Sequence, residues 1–262
     1  MAYNTVEYTV DGGVAMLVLN RPDCLNSFNR EMHAEVREVF GEIRQAGAVR
    51  CLVLTGKGRG FCAGQDLNER KFDPDQPPDL GESLRQNYNP LINNITSLEM
   101  PVICAVNGVA AGAGVGIALA CDIVLAARSA SFALSFAKVG LGMDSASSWS
   151  LPRLIGLPRA RALAMLGEKL TAEVAEQWGL IWKCLDDVNL MEATLAMARY
   201  FSTQPTKGLA IIKKELLLST SHSLDQQLAL EAELQGIASR SEDYREGVMA
   251  FLEKRKPQFS GK

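Results

Sequence analysis

Residues 101–122, PVICAVNGVAAGAGVGIALACD, constrain this chain more than any other stretch. Its first six residues are a continuous apolar run, the pattern of a buried strand, and Asn107-Gly108 ends that run. From Ala110 to Gly114 no side chain exceeds a methyl group, so polar atoms of another molecule can approach the backbone closely. Residues 117–120 continue as a helix, and the first N–H groups of a helix have no partner inside it. Such donors at a positive helix end suit an oxygen that gains negative charge during a reaction. A turn in which glycine serves packing alone would show the same spacing, and the stretch by itself leaves both readings open.

The rest of the chain limits what that turn can serve. With 262 residues, 47% of them apolar and 22% charged, it is long enough for one large or two small globular domains. A net charge of −3 offers no broad basic surface, which argues against nucleic acid and anionic membrane as partners. Six cysteines lie far apart without a C-x-x-C pair, mostly in apolar runs, so they read as reduced core thiols of a cytosolic protein. The N-terminus lacks a signal-peptide pattern, and no apolar run reaches the roughly 18 residues of a membrane helix. The two histidines, His33 and His222, have no second ligand at metal spacing, which argues against a histidine-bound metal or a catalytic histidine.

Residues 6–10 and 14–19 flank Asp11-Gly12-Gly13 as a β-hairpin. Asn29 can cap a helix whose Met32, Val36, Val39, Phe40 and Ile43 fall on one stripe. Residues 51–55 form the next strand. The glycine-rich loop after it lacks the G-K-[ST] ending of a phosphate-binding loop. A second small-residue turn, Cys62 to Gln65, follows, and Asp66 can start a helix. Residues 73–79, acidic and proline-rich, read as a mobile surface loop near the site. Leu84, Tyr88, Leu91, Ile92, Ile95 and Leu98 mark a helix, and strands resume over 123–126 and 131–134. Alternating strands and helices predict an α/β layered domain.

Asp144 is the sole acid between Asp122 and Glu168. It can cap a helix over 145–151. It can equally be a carboxylate in a largely apolar pocket, where desolvation raises its pKa toward a useful acid/base range. Beyond residue 159 helices dominate, with 181–185 the lone strand, and their apolar faces suit a small second domain or oligomerisation.

Taken together, Asn20-Arg-Pro22 with Leu25-Asn26-Ser27, the 60–66 turn, the 101–122 block and residues 140–156 resemble the enoyl-CoA hydratase/isomerase (crotonase) superfamily in their order along the whole chain. The resemblance implies a spiral of ββα units over 1–190 and a helical trimerisation region over 191–262. It implies acyl-CoA thioesters as substrates, with coenzyme A part of the substrate and no separate cofactor or metal. The thioester oxygen would lie between the N–H groups of Ala63 and Ala113. Leu25, Gln65, Asp66, Leu67, Gly112, Gly114, Phe136 and Trp149 would line the substrate site. Hydratases of the family carry two glutamates, and Gly116 and Phe136 stand at those positions here. That leaves Asp144 as the acid, as in several isomerases and dehalogenases.

Within the family, the 58–68 and 106–114 segments and the C-terminal residues resemble the ring 1,2-epoxyphenylacetyl-CoA isomerases of phenylacetate catabolism. The family usually has two glycines after the acid, where Ala146-Ser147-Ser148 stand here. The resemblance predicts an acyl-CoA isomerase that makes the oxepin-CoA and shifts a 3-enoyl-CoA double bond to position 2. Rival readings are a hydrolase or dehalogenase with Asp144 as nucleophile, or a non-catalytic acyl-CoA-binding subunit. A homotrimer or hexamer is expected, with a hydratase of the same pathway open as a partner.

Overall fold

A computed structural model describes residues 3–69 and 78–262. Most of the 73–79 insert therefore lies outside the described residues. Strands β1 (Val6–Asp11) and β2 (Val14–Leu19) pair antiparallel, Val6 opposite Leu19. Gly12 and Gly13 both take positive φ, 54° and 80°, as a two-residue hairpin turn between right-twisted strands demands. Helix α1 (Arg30–Ala46) is capped by Asn29, whose side chain accepts the Met32 N–H at 2.8 Å, and the predicted stripe is buried.

Two sheets then grow in alternation. β3 (Cys51–Gly56) leads into the short β4 (Gly60–Cys62). After α2 (Leu80–Ser83), a π-turn over Leu84–Tyr88 and α3 (Asn89–Thr96), β5 (Val102–Val106) leads into β6 (Val109–Ala111). After α4 (Ala113–Leu119), β7 (Ile123–Ala127) leads into β8 (Ser131–Ala133). Helices α5 (Ser147–Ile155) and α6 (Leu157–Leu166), β9 (Lys169–Thr171), α7 (Ala172–Trp178) and β10 (Lys183–Leu185) complete the winding. The large sheet has the order β1-β2-β3-β5-β7-β10 and the small one β4-β6-β8-β9. Each of the pairs β3–β4, β5–β6 and β7–β8 gives one strand to each sheet, which is the expected spiral of ββα units. β3 and β5 are buried along their whole length, as their unbroken apolar runs require.

β9 adds a strand that the sequence reading placed only at a helix cap. Thr171 does both, pairing with Ser131 and accepting the Val174 N–H. Helix α8 (Leu190–Ser202) lies across β2, β3, β5 and β7, so the packed core runs past residue 190. Helices α9 (Thr206–Ser219), α10 (Leu224–Ala238) and α11 (Glu242–Leu252) follow. They keep Ile212, Leu216, Leu224, Leu228, Phe251 and Leu252 exposed. All six cysteines are free thiols, and Cys51, Cys62, Cys104 and Cys121 are buried. Among the described residues no helix is long and apolar enough to cross a membrane.

Candidate active site

β4, β6 and β8 run parallel in the small sheet, so their carboxyl ends lie side by side. Such ends are where open α/β sheets place ligands. Three segments emerge there: residues 63–66, the Gly112–Ala113 turn and residues 134–136. Glycine is obligatory at position 64, which has φ +85°. A Cβ there would stand 2.9 Å from the Ala111 carbonyl and 3.1 Å from the Ala113 nitrogen. The two small-residue turns thus meet backbone to backbone.

Their N–H groups divide clearly. Ala63, expected to face the thioester, donates to the Leu25 carbonyl at 2.9 Å and is committed to the fold. Phe28 bridges the same turn from the other side, donating to the Gly64 carbonyl at 2.7 Å and accepting from the Asp66 N–H at 2.9 Å. Between them the Gln65 N–H has no acceptor among the described residues. The Ala113 N–H, first in α4, has none either, while Gly112 donates to Ala133 and Val115 to Gly112. The unspent N–H donors at this junction, among the described residues, are therefore those of Gln65 and Ala113.

The 63–66 turn is braced on every side. Asp66 is buried and holds Arg21 at 2.8 Å and the Asn68 N–H at 3.0 Å. Burial alone would raise its pKa, but these hydrogen bonds and the guanidinium charge hold it below the usual carboxylate range. The Gln65 side chain donates to the Phe28 carbonyl at 3.1 Å and accepts from the Tyr88 hydroxyl at 3.1 Å. The His33 ring lies edge-on to Tyr88, 4.6 Å between centroids, and tilted against Phe28 at 4.8 Å. Burial, with the Arg37 charge adding to it, pushes His33 down to about 4, so it is neutral at neutral pH. The sequence reading missed this buttress. Its one visible signal was Tyr88 on an apolar helical stripe. Leu25 packs its side chain where a Cβ of Gly60 would stand, whereas Leu67 is exposed.

On the other side of α4 the chain behaves differently. The Phe136 ring covers Gly112, at 3.9 Å from where its Cβ would be. Asp144 is half-buried, with Oδ1 closed to solvent. It is not the helix cap. α5 begins at Ser147 rather than at Ser145, and the N-cap position falls on Ala146, which has no capping side chain. The Asp144 backbone carbonyl accepts the Ser147 N–H at 2.9 Å. Ser145 and Ala146 both adopt left-handed φ, 50° and 59°. Ser145 and Ser147 press on α4 at Gly116, where a Cβ would lie 2.2 Å from the Ser145 carbonyl and 2.8 Å from Ser147 Oγ. Gly114 is equally closed, since a Cβ would lie 2.1 Å from the Cys62 carbonyl.

Trp149 does not join this cluster. It lines a groove of about 530 Å³ at the far end of α4, with Leu119, Asp122, Leu209 and Lys213, and stacks on Arg153 at 4.3 Å. In that groove Lys213 meets Asp122 at 2.9 Å. Burial raises the Asp122 pKa despite the ammonium beside it.

Paired ββα windings that bring two amide-presenting turns together define a crotonase-type fold. The chain belongs to the enoyl-CoA hydratase/isomerase family, which it matches over residues 9–262. It is 54% identical to the 1,2-epoxyphenylacetyl-CoA isomerase of Escherichia coli (strain K12), over 97% of each chain. It is 43% identical to a protein of Rhodobacter capsulatus named "Probable enoyl-CoA hydratase", over 100% of each. Its structure superposes on that of an enoyl-CoA hydratase/isomerase from Cupriavidus metallidurans CH34 with a TM-score of 0.92 at 30% identity, covering 100% of this chain and 98% of the other.

Proposed function

We propose that the chain is an acyl-CoA isomerase that converts ring 1,2-epoxyphenylacetyl-CoA to the oxepin-CoA and moves a 3-enoyl-CoA double bond to position 2. The observation that carries this reading is the closure of α4 at Gly116. Ser145 and Ser147 fill the space in which a side chain at 116 would have to grow, and an aromatic ring stands at 136. Neither position offers a carboxylate to activate water, and Asp144 remains.

In this reading the thioester oxygen accepts from the Gln65 and Ala113 N–H groups, replacing Ala63 by Gln65 in the expected pair. Each donor stabilises the developing oxyanion by an amount on the order of 3 kcal/mol. Asp144 removes a proton from the carbon next to the thioester and returns it elsewhere. With a 3-enoyl-CoA the proton returns two carbons further on, and the double bond becomes conjugated. With the aromatic epoxide it returns to a ring carbon while the carbon–carbon bond of the epoxide opens, enlarging the ring by the oxygen. Atoms are conserved in both cases, and no redox cofactor or metal enters the steps. Leu25, Gly112 and Phe136 would border the acyl group. The exposed apolar faces of α9 to α11 suit a trimer or hexamer, and sedimentation as a stable monomer at micromolar concentration would count against that assembly.

Turnover of ring 1,2-epoxyphenylacetyl-CoA and of 3-hexenoyl-CoA, measured side by side, tests the function. Hydration of a 2-enoyl-CoA should be weak. A turnover of about 10 per second or more in that assay would overturn the isomerase reading.

A further inference from the structure

One residue of the buttress carries more than its packing demands. Tyr88 is 1% exposed, and its ring lies against Phe28 and His33. Phenylalanine would fill that space as well and would bring no polar atom into the core. The chain also bends to place the residue. Pro90 has no N–H to give the Gln86 carbonyl, and Arg37 donates to that carbonyl at 3.0 Å. The ladder before it widens into the π-turn over Leu84–Tyr88, in which the Asn89 N–H donates to the Leu84 carbonyl. Such turns appear frequently at functional sites. At the end of this one the Tyr88 hydroxyl donates to Gln65 Oε1 at 3.1 Å.

A short chain of bonds joins that hydroxyl to the unspent N–H of Gln65. The Gln65 amide can face only one way, because the Phe28 carbonyl only accepts and so takes Nε2, at 3.1 Å. Oε1 is left for Tyr88. The Phe28 carbonyl also accepts the Asp66 N–H at 2.9 Å, and Phe28 donates its own N–H to the Gly64 carbonyl at 2.7 Å. That carbonyl and the Gln65 N–H share one peptide plane, and in a trans peptide they point in opposite directions. Holding the carbonyl on Phe28 therefore aims the N–H away from Phe28. The plane needs such a hold. It follows Gly64, which has φ +85° and the backbone freedom of a residue without a Cβ. Without the hydroxyl, the half-buried Gln65 amide is free to turn toward water and release Phe28.

We propose that Tyr88 is a positioning residue, whose hydroxyl acts through the Gln65 amide and Phe28 to fix the direction of the Gln65 N–H toward the thioester oxygen. The inference rests on the acyl-CoA reading and adds to it a residue that touches neither the substrate nor the reacting atoms. A preorganised donor matters most once charge has developed on the oxygen. Its loosening therefore falls on turnover more than on binding.

Tyr88→Phe removes the hydroxyl alone, and Gln65→Met removes the side-chain amide while keeping the backbone N–H. Phenylacetyl-CoA labelled with carbon-13 at the thioester carbonyl reports on the donors without turnover, because hydrogen bonds to the oxygen move the carbonyl resonance downfield. Binding to the wild type should move it downfield. Each variant should lose a clear part of that displacement, up to about half, the share of one donor in two, with a dissociation constant within about threefold of wild type. With 3-hexenoyl-CoA, kcat should fall about tenfold at a KM within about twofold of wild type, short of the roughly hundredfold loss that follows outright removal of a donor. Both substitutions cut the same chain, so the double variant should be no slower than the slower single one. A residue that served stability alone would lower the melting temperature and leave the resonance of the bound thioester where it is. A wild-type resonance in either variant, or losses in kcat that multiply in the double variant, would overturn the proposal. If Tyr88→Phe does not fold, Gln65→Met carries the same test. A wild type that does not bind the thioester, or binds it without moving the resonance, would instead remove the two-donor reading on which the proposal rests.

Discussion

Two loops face helix α4, and they are built on opposite terms. The 63–66 turn puts glycine where the backbone must bend or touch, and it spends nearly every polar group. Ala63 is tied to Leu25, Gly64 and Asp66 to Phe28, the Gln65 side chain to Phe28 and Tyr88, and the Asp66 carboxylate to Arg21. Of its backbone N–H groups, only that of Gln65 is left over among the described residues. The 144–147 segment instead forces Ser145 and Ala146 into a glycine-like conformation and leaves two buried hydroxyls without partners among the described residues. A rigid, satisfied loop suits a fixed pair of donors for one oxygen, the group common to every thioester. The strained loop instead closes the face of α4 at Gly116.

The largest effect that would break this comparison is chemical. Asp144→Asn keeps the shape of the strained loop, and because α5 is not capped by this side chain, the fold should be as stable as wild type. Acyl-CoA affinity should persist while isomerase turnover falls by roughly two to four orders of magnitude, the usual share of a general acid/base. If the variant keeps more than about a tenth of wild-type turnover, the acid/base lies elsewhere and the second loop is only a wall.

The two loops also differ in how far the sequence discloses them. Glycines at 64, 112 and 114 announce close backbone approach, so the meeting of the two turns was legible. The donor assignment within the first turn was not. Whether Ala63 or Gln65 points outward depends on which N–H the distant Leu25 carbonyl captures, and Leu25 itself sits in left-handed backbone at φ 51°. In the second loop nothing local shows that Asp144 falls short of the cap position. The helix start is displaced by the left-handed pair after it, and left-handed Ser and Ala carry no sequence mark. Trp149 lines the groove beside Leu119 and Lys213. The large sheet, by contrast, was plain from its apolar runs, since strands buried on both faces need little but hydrophobicity to be recognised.

A second effect, of a few kcal/mol, sharpens the claim that the first loop is rigid. His33 is buried under it with its pKa pushed from 6.5 down to about 4. Between those two values the unfolded chain binds a proton that the folded protein refuses, so stability falls as pH falls through that window. Above pH 6.5 the contribution is constant. Below about 4 the loss is complete. From pH 7 to about pH 5 the wild type should lose on the order of 2 kcal/mol at this residue. His33→Gln should lose less over the same interval by that amount, as measured by urea unfolding at the two pH values. Parallel losses in both proteins would mean that His33 is protonated within the fold, and the buttress beneath Gln65 would be looser than drawn.

The smallest effect tests the contrast in backbone terms, through two opposed substitutions. Gly112 has φ 53° and ψ −124°, a combination open to glycine alone, yet a Cβ there would meet nothing nearer than the Phe136 ring at 3.9 Å. Gly112→Ala therefore adds no clash, and its cost is conformational, about 1–3 kcal/mol. Ala146 has φ 59° and ψ 10°, ordinary left-handed backbone that costs a residue with a Cβ about 1–2 kcal/mol. Ala146→Gly relieves that strain, but it also frees the unfolded chain, which takes back roughly 0.5–1 kcal/mol. The net gain should be under about 1 kcal/mol, a rise of some 2–4 °C at most in melting temperature for a chain of this size. Opposite signs for the two variants would establish that the turn into α4 has glycine where glycine is needed and that the 144–147 segment lacks it where it would help. A destabilised Ala146→Gly would mean that the methyl group of Ala146 holds the second loop through packing. The left-handed pair would then be a fitted part of the wall rather than a stored strain.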